Sequence, residues 1–325
     1  LNFVNAILPS LGNKDEVGRI SGSGAAFGYW GGVVSLAIML LVFVEQDNGR
    51  TIFVGLEPPF GLNPNEKEGT RFVGPFIAIW FAVFMIPFFM WVRDDPTTGG
   101  KSTNLRTVAG DLRGKMKSVA QRKSLLNFLV GSMFYRDALN ALYAFGGVYA
   151  ALVLDWGITA IGVFGVVAAI AAAITTWIAG LADSRFGPKP VIRVAVWLLI
   201  LVSITIVGTS REQIFWITLP IASTLPDTVF YVCGAIIGGA GGAVYTASRS
   251  MMVRHTHPDR PAEAFGLFAL SGKATAFLAP AGITLFTWWT GNTQLGFLPV
   301  IILFLMGLFL LKWVKPQGDR DEWAA

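Results

Sequence analysis

Long apolar stretches separated by short polar segments dominate the pattern of hydrophobic and polar positions along the 325-residue chain. A transmembrane helix needs about 20 mostly apolar residues, with roughly 17 as the lower limit. Eight segments reach this length, so the pattern predicts an all-α polytopic membrane protein. The predicted spans are 25–44, 72–92, 125–154, 156–182, 194–210, 228–248, 264–290 and 292–311.

One further apolar stretch, QIFWITLPIASTLP at 213–226, is short and contains two prolines. We interpret it as an interfacial or re-entrant external segment. The composition agrees with a membrane protein, because only 14% of the residues are charged, whereas soluble domains carry about 25%. The single cysteine, Cys233, excludes an internal disulfide framework.

The distribution of basic residues predicts the orientation of the spans. If the loop 10–21 lies in the cytoplasm, the loops on that side hold 19 of the 25 Lys and Arg residues, and the outer loops hold four. This asymmetry fits the excess of positive charge that cytoplasmic loops carry. The net positive charge of the chain therefore indicates membrane topology, and we expect no nucleic-acid partner.

The most basic loop, 93–124, divides the chain. Apolar residues recur there at helical spacing, which predicts either an amphipathic helix on the membrane surface or a solvated linker helix. These residues are Leu105, Val108, Leu112, Met116 and Val119. We expect the end of an N-terminal bundle at 1–92, a basic linker at 93–124, a C-terminal six-helix bundle at 125–314 and a cytoplasmic tail at 315–325. The opening residues resemble the tail of a span, so we expect an N-terminally truncated chain.

Two neighbouring charges, Arg136 and Asp137, fall inside a predicted span. Charged residues at bilayer depth are costly and are kept where they face a bundle interior or an aqueous cavity. Arg136 lies about 16 Å from the inner edge at a rise of 1.5 Å per residue. With Asn140 and Tyr143 it forms one polar helix face. This stripe is a candidate substrate or ion-coupling site.

Lys273 is a second charge inside a span, at a depth of about 14 Å. Because the depths match, we expect Asp137 to pair with Lys273 or with a charge outside this chain. The pair could bind substrate or a coupling ion, or it could be a static ion pair that fixes helix packing.

Small residues recur every four positions in GAIIGGAGGAVYTASRS at 234–250, which predicts close helix packing. Tyr245 on this span is a candidate cavity residue. Arg249 is expected at the inner surface, as a positive anchor or as a latch to an acidic partner.

The stretch GLADSRFGPKPVIR at 180–193 predicts a tight basic turn on the inner side. It resembles the conserved loop signature of the major facilitator superfamily in its Asp183, Arg185, Gly187 and Lys189. Ser184 separates the Asp from the Arg, which makes the spacing one residue longer than in the family. The resemblance implies that these four residues form a conformational loop motif.

Other stretches resemble the vacuolar-effluxer-like (autophagy-related) branch of that superfamily. They are RISGSGAAFGYWGG at 19–32, MFYRDA at 133–138 and YTASRSMMVRHTHPDRPAEAFGLFALSGKATAFLAP at 245–280. The match covers nearly the whole chain, and Asp137 falls on a motif position. The resemblance implies twelve helices in the complete protein and solute export, with amino acids as the best-known cargo of fungal members.

We therefore expect a secondary transporter that exports a small solute by alternating access, with protons or Na⁺ as coupling ion. Asp137 would accept a proton or cation or contact a cationic group of the solute, and Lys273 would neutralise Asp137 or bind a carboxylate. The expected location is the bacterial inner membrane. The alternative is a non-transporting, pigment-related or assembly-related membrane protein of the same superfamily.

Other function classes lack their motifs. The chain has no paired Asp-rich Mg²⁺ motif, His-Glu-x-x-His site or Gly-x-Ser-x-Gly elbow, so we expect no enzyme. Its two histidines, His255 and His257, are too few for a metal cage, and we expect neither a metal nor a cofactor. A retinal protein would carry its lysine in the last span, whereas Lys273 lies in the one before it.

Overall fold

A computed structural model gives the fold and describes residues 5, 7–46, 48–53, 55–92, 119–220, 223–257 and 261–319. The chain divides into two compact units, one of Leu1–Trp30 with Val119–Ala325 and one of Gly31–Ser118. Most of the expected linker, with the predicted apolar stripe from Leu105 to Met116, lies outside the described residues. The amphipathic helix and the four-part division of the chain stay predictions.

The described part of the chain contains nine main helices. They are α1 (Lys14–Ile38), α2 (Val73–Trp91), α3 (Lys123–Leu154), α4 (Ile158–Phe186), α5 (Pro188–Val207), α6 (Leu225–His255), α7 (Pro261–Ala274), α8 (Leu278–Thr290) and α9 (Leu298–Leu310). With α7 and α8 taken together, the described residues hold eight helical segments long and apolar enough to cross a membrane. The prediction of eight spans in an all-α membrane protein is confirmed.

Several helices extend beyond their predicted spans. The first membrane-spanning segment begins at Glu16 rather than near residue 25, and α6 continues to His255 rather than ending near 248. Only Gly187 separates α4 from α5, where a loop over 183–193 was expected. Hydropathy marks the apolar part of a helix, whereas backbone hydrogen bonds continue into polar turns at the membrane surface.

The stretch 213–226 contains a short β-hairpin that was not predicted. Strands β1 (Gln213–Ile214) and β2 (Ile217–Thr218) pair antiparallel, with Gln213 opposite Thr218. The two turn residues, Phe215 and Trp216, have φ angles of 45° and 66°. Two consecutive positive φ angles match the twist of a two-residue hairpin. Trp216 is 88% exposed at the tip.

In the unit Gly31–Ser118, the described part of the loop 45–71 is ordered. The carboxylate of Glu45, which is only 8% exposed, accepts hydrogen bonds from the Thr70 backbone N–H (3.1 Å) and hydroxyl (2.9 Å). The rings of Phe43 and Phe72 stack at 5.0 Å. These contacts attach the start of the loop to the turn that precedes α2.

The glycines of α6 bring its backbone against α4. A Cβ at Gly238 would overlap the backbone carbonyl of Ala168, and one at Gly242 would overlap the hydroxyl of Thr176. Small residues at this spacing permit close helix approach in membranes. The predicted tight packing of the 234–250 segment is confirmed, and it sets α4, α6 and α3 around a common space.

Candidate functional site

The polar stripe of α3 meets α6 at one short hydrogen bond. The hydroxyl of Tyr245 donates to Oδ1 of Asn140 at 2.6 Å. Two residues predicted separately, on different spans, are thus in direct contact. The charge of Arg136, one helical turn before Asn140, also acts on the Tyr245 hydroxyl. The stripe and Tyr245 therefore form one polar cluster.

Arg136 is held on the other side by α7. Its Nη1 donates to the backbone carbonyl of Phe268 at 3.0 Å, and its guanidinium lies 4.2 Å from the centre of the Phe268 ring. The Nε atom is buried and has no hydrogen-bond partner among the described residues. Arg136 forms no ion pair within the described part of the chain. Its charge is therefore available to an anionic group.

A cavity of about 380 Å³ borders this cluster. Tyr143, which is 42% exposed, lines it together with Tyr29 of α1, and the two side chains interact. The remaining wall is apolar and comes from α3, α4 and α6, including Leu142, Ile161, Phe164 and Ile237. Such a mixture of apolar surface and a few polar groups is typical of small-molecule sites.

Tyr29 was not among the predicted site residues. It lies in the Gly-Tyr-x-Gly-Gly stretch at 28–32, which carried the family resemblance but was given no role. Its hydroxyl interacts with Tyr143, and the charge of Arg249 acts on it. The sequence signal that could have identified Tyr29 was its position among four nearby glycines, on a helix that faces other helices.

Arg249 lies in α6, six residues before the end of that helix, and its expected place at the inner surface stays a prediction. It donates to Oδ1 of Asn5 at 3.3 Å and to the backbone carbonyl of Ser21 at 3.5 Å. Among the described residues it forms no ion pair, so the expected acidic partner is not found there. Arg249 connects α6 to the N-terminal segment and supplies a second unpaired positive charge.

Asp137 does not share this environment. It is 1% exposed, and its Oδ2 accepts a 2.9 Å hydrogen bond from the backbone N–H of Ala279 at the start of α8. Lys273 is exposed at the end of α7, and the described residues contain no ion pair between it and Asp137. The described residues therefore do not contain the expected pair of Asp137 and Lys273, and the alternative partner outside this chain stays a prediction. Equal depth did not imply contact, because depth leaves the direction of each side chain around its helix undetermined.

The four residues of the loop motif have separate surroundings. Asp183 is 2% exposed, its carboxylate lies against Gly18 of α1, and Oδ1 has no hydrogen-bond partner among the described residues. Arg185 is exposed, 5.5 Å from the centre of the Phe186 ring. Gly187 has φ +86° and joins α4 to α5.

Lys189 fastens the chain beyond α9 to the start of α5. Its Nζ donates to the backbone carbonyls of Val314 (2.6 Å) and Lys312 (3.2 Å). Nearby, Arg254 donates to the Pro316 carbonyl at 3.2 Å. The motif thus contacts the end of the last span, a contact that no local pattern indicates.

Metal-binding chemistry is not indicated by the described side chains. They contain no group of three or more His, Cys, Asp or Glu residues that could hold a metal ion. His255 instead stacks on Phe128 at 5.5 Å, and its Nε2 lies 2.9 Å from the hydroxyl of Ser124. The cavity wall offers two phenolic groups, Tyr29 and Tyr143, beside an apolar surface, and Arg136 lies outside the lining, on the same polar stripe as Tyr143.

Known proteins resemble the chain over most of its length. Autophagy-related protein 22 of Cryptococcus neoformans is 25% identical over 312 residues, which cover 94% of this chain and 51% of the relative. The uncharacterised transporter YxiO of Bacillus subtilis, named as a major-facilitator-type protein, is 22% identical over 98% of this chain and 68% of its own length. The chain spans about half the length of the fungal relatives that it matches.

The fold has a counterpart among solved structures. The fucose:proton symporter of E. coli superposes with a TM-score of 0.58 at 12% identity, over 96% of this chain and 72% of that one. The described helices therefore have the major facilitator arrangement. The family described as "Vacuole effluxer Atg22 like" matches residues 10–323. The chain belongs to this family of multi-pass membrane proteins, whose named relatives are transporters rather than enzymes.

Proposed function

We propose that the complete protein is a secondary transporter that exports a small carboxylate-bearing solute, with amino acids as the cargo class, by alternating access. The single observation that supports this most is a pair of arginines near an apolar cavity: Arg136 lies in the polar cluster, and the charge of Arg249 acts on Tyr29 of the cavity wall. Neither forms an ion pair within the described part of the chain. Buried cations without carboxylate partners are suited to binding an anion.

The cavity matches the two ends of such a solute. A carboxylate would accept a hydrogen bond from the phenolic hydroxyl of Tyr143 at the cavity wall, and the charge of Arg136 on the same polar stripe would attract it. An apolar side chain would lie against the wall formed by Ile161 and Phe164. The volume of about 380 Å³ is within the usual range for small-molecule sites. Because the chain spans about half of its fungal relatives, further contacts to the solute belong to the complete protein.

Export, ion coupling and location are parts of the same proposal. The family description names an effluxer, which supports the outward direction. The solved structure with the same fold is named as a proton symporter, which supports protons as coupling ion, with Na⁺ as the alternative. The bacterial inner membrane is the proposed location, whereas the family description names the vacuole.

Transport by the complete protein in proteoliposomes tests the proposal. Labelled phenylalanine is compared with phenethylamine, which has the same ring but no carboxylate. We expect protein-dependent flux, above that of protein-free liposomes, for phenylalanine alone, and its stimulation by a proton gradient. Arg136→Ala should lower it by about tenfold or more, since a hydrogen bond to a charged group contributes roughly 1.5–3 kcal/mol.

The matched control is Arg71→Ala, because Arg71 is exposed and lies outside the cavity lining. This variant should transport like the unmodified protein. Equal flux of both solutes, or none of any amino acid in a panel that includes alanine, valine and glutamate, would contradict a carboxylate-binding exporter.

A further inference from the structure

The span Pro261–Thr290 is interrupted between α7 and α8, at residues 275–277. Pro280 explains the interruption. It has no N–H to donate to the carbonyl of Ala276, four residues earlier, and its ring would clash with that carbonyl in a continuous helix. Within a membrane, the freed backbone groups must find partners inside the protein.

The first backbone N–H groups of α8 donate to different acceptors. Leu278 N–H donates to the carbonyl of Thr275 at 2.8 Å, and Ala281 N–H donates to that of Phe277 at 2.9 Å. Pro280 has none. The N–H of Ala279 donates to Oδ2 of Asp137 at 2.9 Å, in a buried position. One donor at the start of α8 therefore depends on a side chain of α3.

The preceding residue of α3 contacts the other half-helix. Arg136 donates to the carbonyl of Phe268 and covers its ring. A Cβ at Gly272 would lie 2.5 Å from Nη2 of Arg136, so a side chain there would displace the guanidinium from its place against α7. Two consecutive residues of α3 thus hold the two sides of the break.

We propose that Arg136 and Asp137 clamp the interrupted span, and that Asp137 acts as a positioning residue that caps α8 rather than as the acceptor of the coupling ion. A carboxylate is favoured at a helix N-terminus, where the backbone N–H groups and the helix dipole are positive. This role accounts for the adjacent opposite charges inside one span. This clamp rests on the proposed transport function, because a fixed break between two half-helices is useful in a span that moves during transport.

Substitution of Asp137 in the complete protein separates the two roles. Asparagine keeps an oxygen that can accept from Ala279 N–H but cannot bind or release a proton, whereas alanine removes the acceptor. We expect Asp137→Asn to keep transport within about twofold, with an unchanged pH profile. Asp137→Ala should lower the maximal rate by about tenfold with little change in half-saturation, and lower the melting temperature by on the order of 5 °C.

Two outcomes would overturn the positioning role of Asp137. If Asp137→Asn loses proton-driven transport as completely as Asp137→Ala, or shifts its pH profile, the positioning role is overturned. It is also overturned if Asp137→Ala matches the unmodified protein in melting temperature. The melting temperatures of the purified variants can be measured without a transport assay. They therefore test the clamp even if no amino acid is transported and the proposed function fails.

A glycine pair on α7 tests the Arg136 side. Gly272→Ala places a methyl group against the guanidinium, whereas Gly266→Ala on the same helix meets nothing within 4 Å. We expect Gly272→Ala to lower both the melting temperature and transport, and Gly266→Ala to leave both unchanged. Equal behaviour of the two variants would overturn the contact between Arg136 and α7.

Discussion

The hydroxyl of Tyr245 donates a 2.6 Å hydrogen bond to Oδ1 of Asn140, and this bond joins α6 to α3 beside the cavity. The two residues are separated by 105 positions in the chain. Their contact combines the polar face of one span with a tyrosine of another, and it supports the proposal that both spans contribute to one site.

Removing this hydroxyl should weaken solute binding. In Tyr245→Phe the ring stays, whereas Asn140 loses its partner. A net hydrogen bond contributes about 1 kcal/mol, so we expect the half-saturation for transport to rise roughly fivefold. Tyr231→Phe is the control, because Tyr231 lies on the same helix and donates to the Ala160 carbonyl at 3.3 Å. Equal changes in both variants would contradict a specific role of Tyr245.

Adding one methyl group between α4 and α6 should destabilise the bundle. In Gly238→Ala the new Cβ overlaps the Ala168 carbonyl, which belongs to backbone and cannot rotate away. Overpacking of this kind costs about 1–3 kcal/mol, so the free energy of unfolding should fall by a comparable amount in a denaturation experiment. Gly74→Ala on α2 meets nothing within 4 Å and should be neutral or slightly stabilising. Similar values for both would refute close backbone contact.

The two glycines that precede helices in the larger unit differ in their backbone angles. Gly187 has φ +86° before α5, whereas Gly157 has φ −74° before α4. Because a side chain is disfavoured at positive φ, Gly187→Ala should cost roughly 1–2 kcal/mol of stability. Gly157→Ala should cost less than about 0.5 kcal/mol. Thermal unfolding of the two purified variants measures the difference, and the reverse order would exclude backbone strain at Gly187.

Lys189 should protect the segment that follows α9 from proteolysis. Lys189→Met removes the donor to the Val314 and Lys312 carbonyls. Trypsin can cut after Lys312, whereas Pro316 blocks cleavage after Lys315. The loss of about 1 kcal/mol of local stability corresponds to roughly fivefold faster cleavage. Arg185→Met, which changes an exposed cation near the same turn, should leave the rate unchanged. No acceleration in Lys189→Met would show that these bonds do not hold the segment.

The number of spans could be predicted because it depends on local hydropathy over about 20 residues. Helix ends were less predictable, since the turns around Glu16 and His255 are polar and yet helical. The break before α8 had a signal in Pro280, but the small residues from Ser271 to Ala276 read as a continuation of the span. From sequence alone, a proline in the first turn of a new helix cannot be distinguished from a proline that kinks one continuous helix.

The site was predicted in part. Arg136, Asn140, Tyr143 and Tyr245 do gather at one place, since helical spacing determines which residues share a face. Asp137, adjacent in sequence, points to α8 instead, because successive helical residues differ in direction by about 100°. The places of Tyr29 and Arg249 depend on contacts across more than 200 residues, such as the bond from Arg249 to Ser21. Local patterns carry no information on those contacts.

A connection of one residue has a mechanical consequence for α4 and α5. Consecutive Cα atoms lie 3.8 Å apart, so the Cα atoms of Phe186 and Pro188 can never separate by more than about 7.6 Å. When α4 tilts around a bound solute, the adjoining end of α5 must travel with it. These two spans are therefore expected to shift as a tethered pair, and a longer flexible insert at Gly187 would uncouple their displacements.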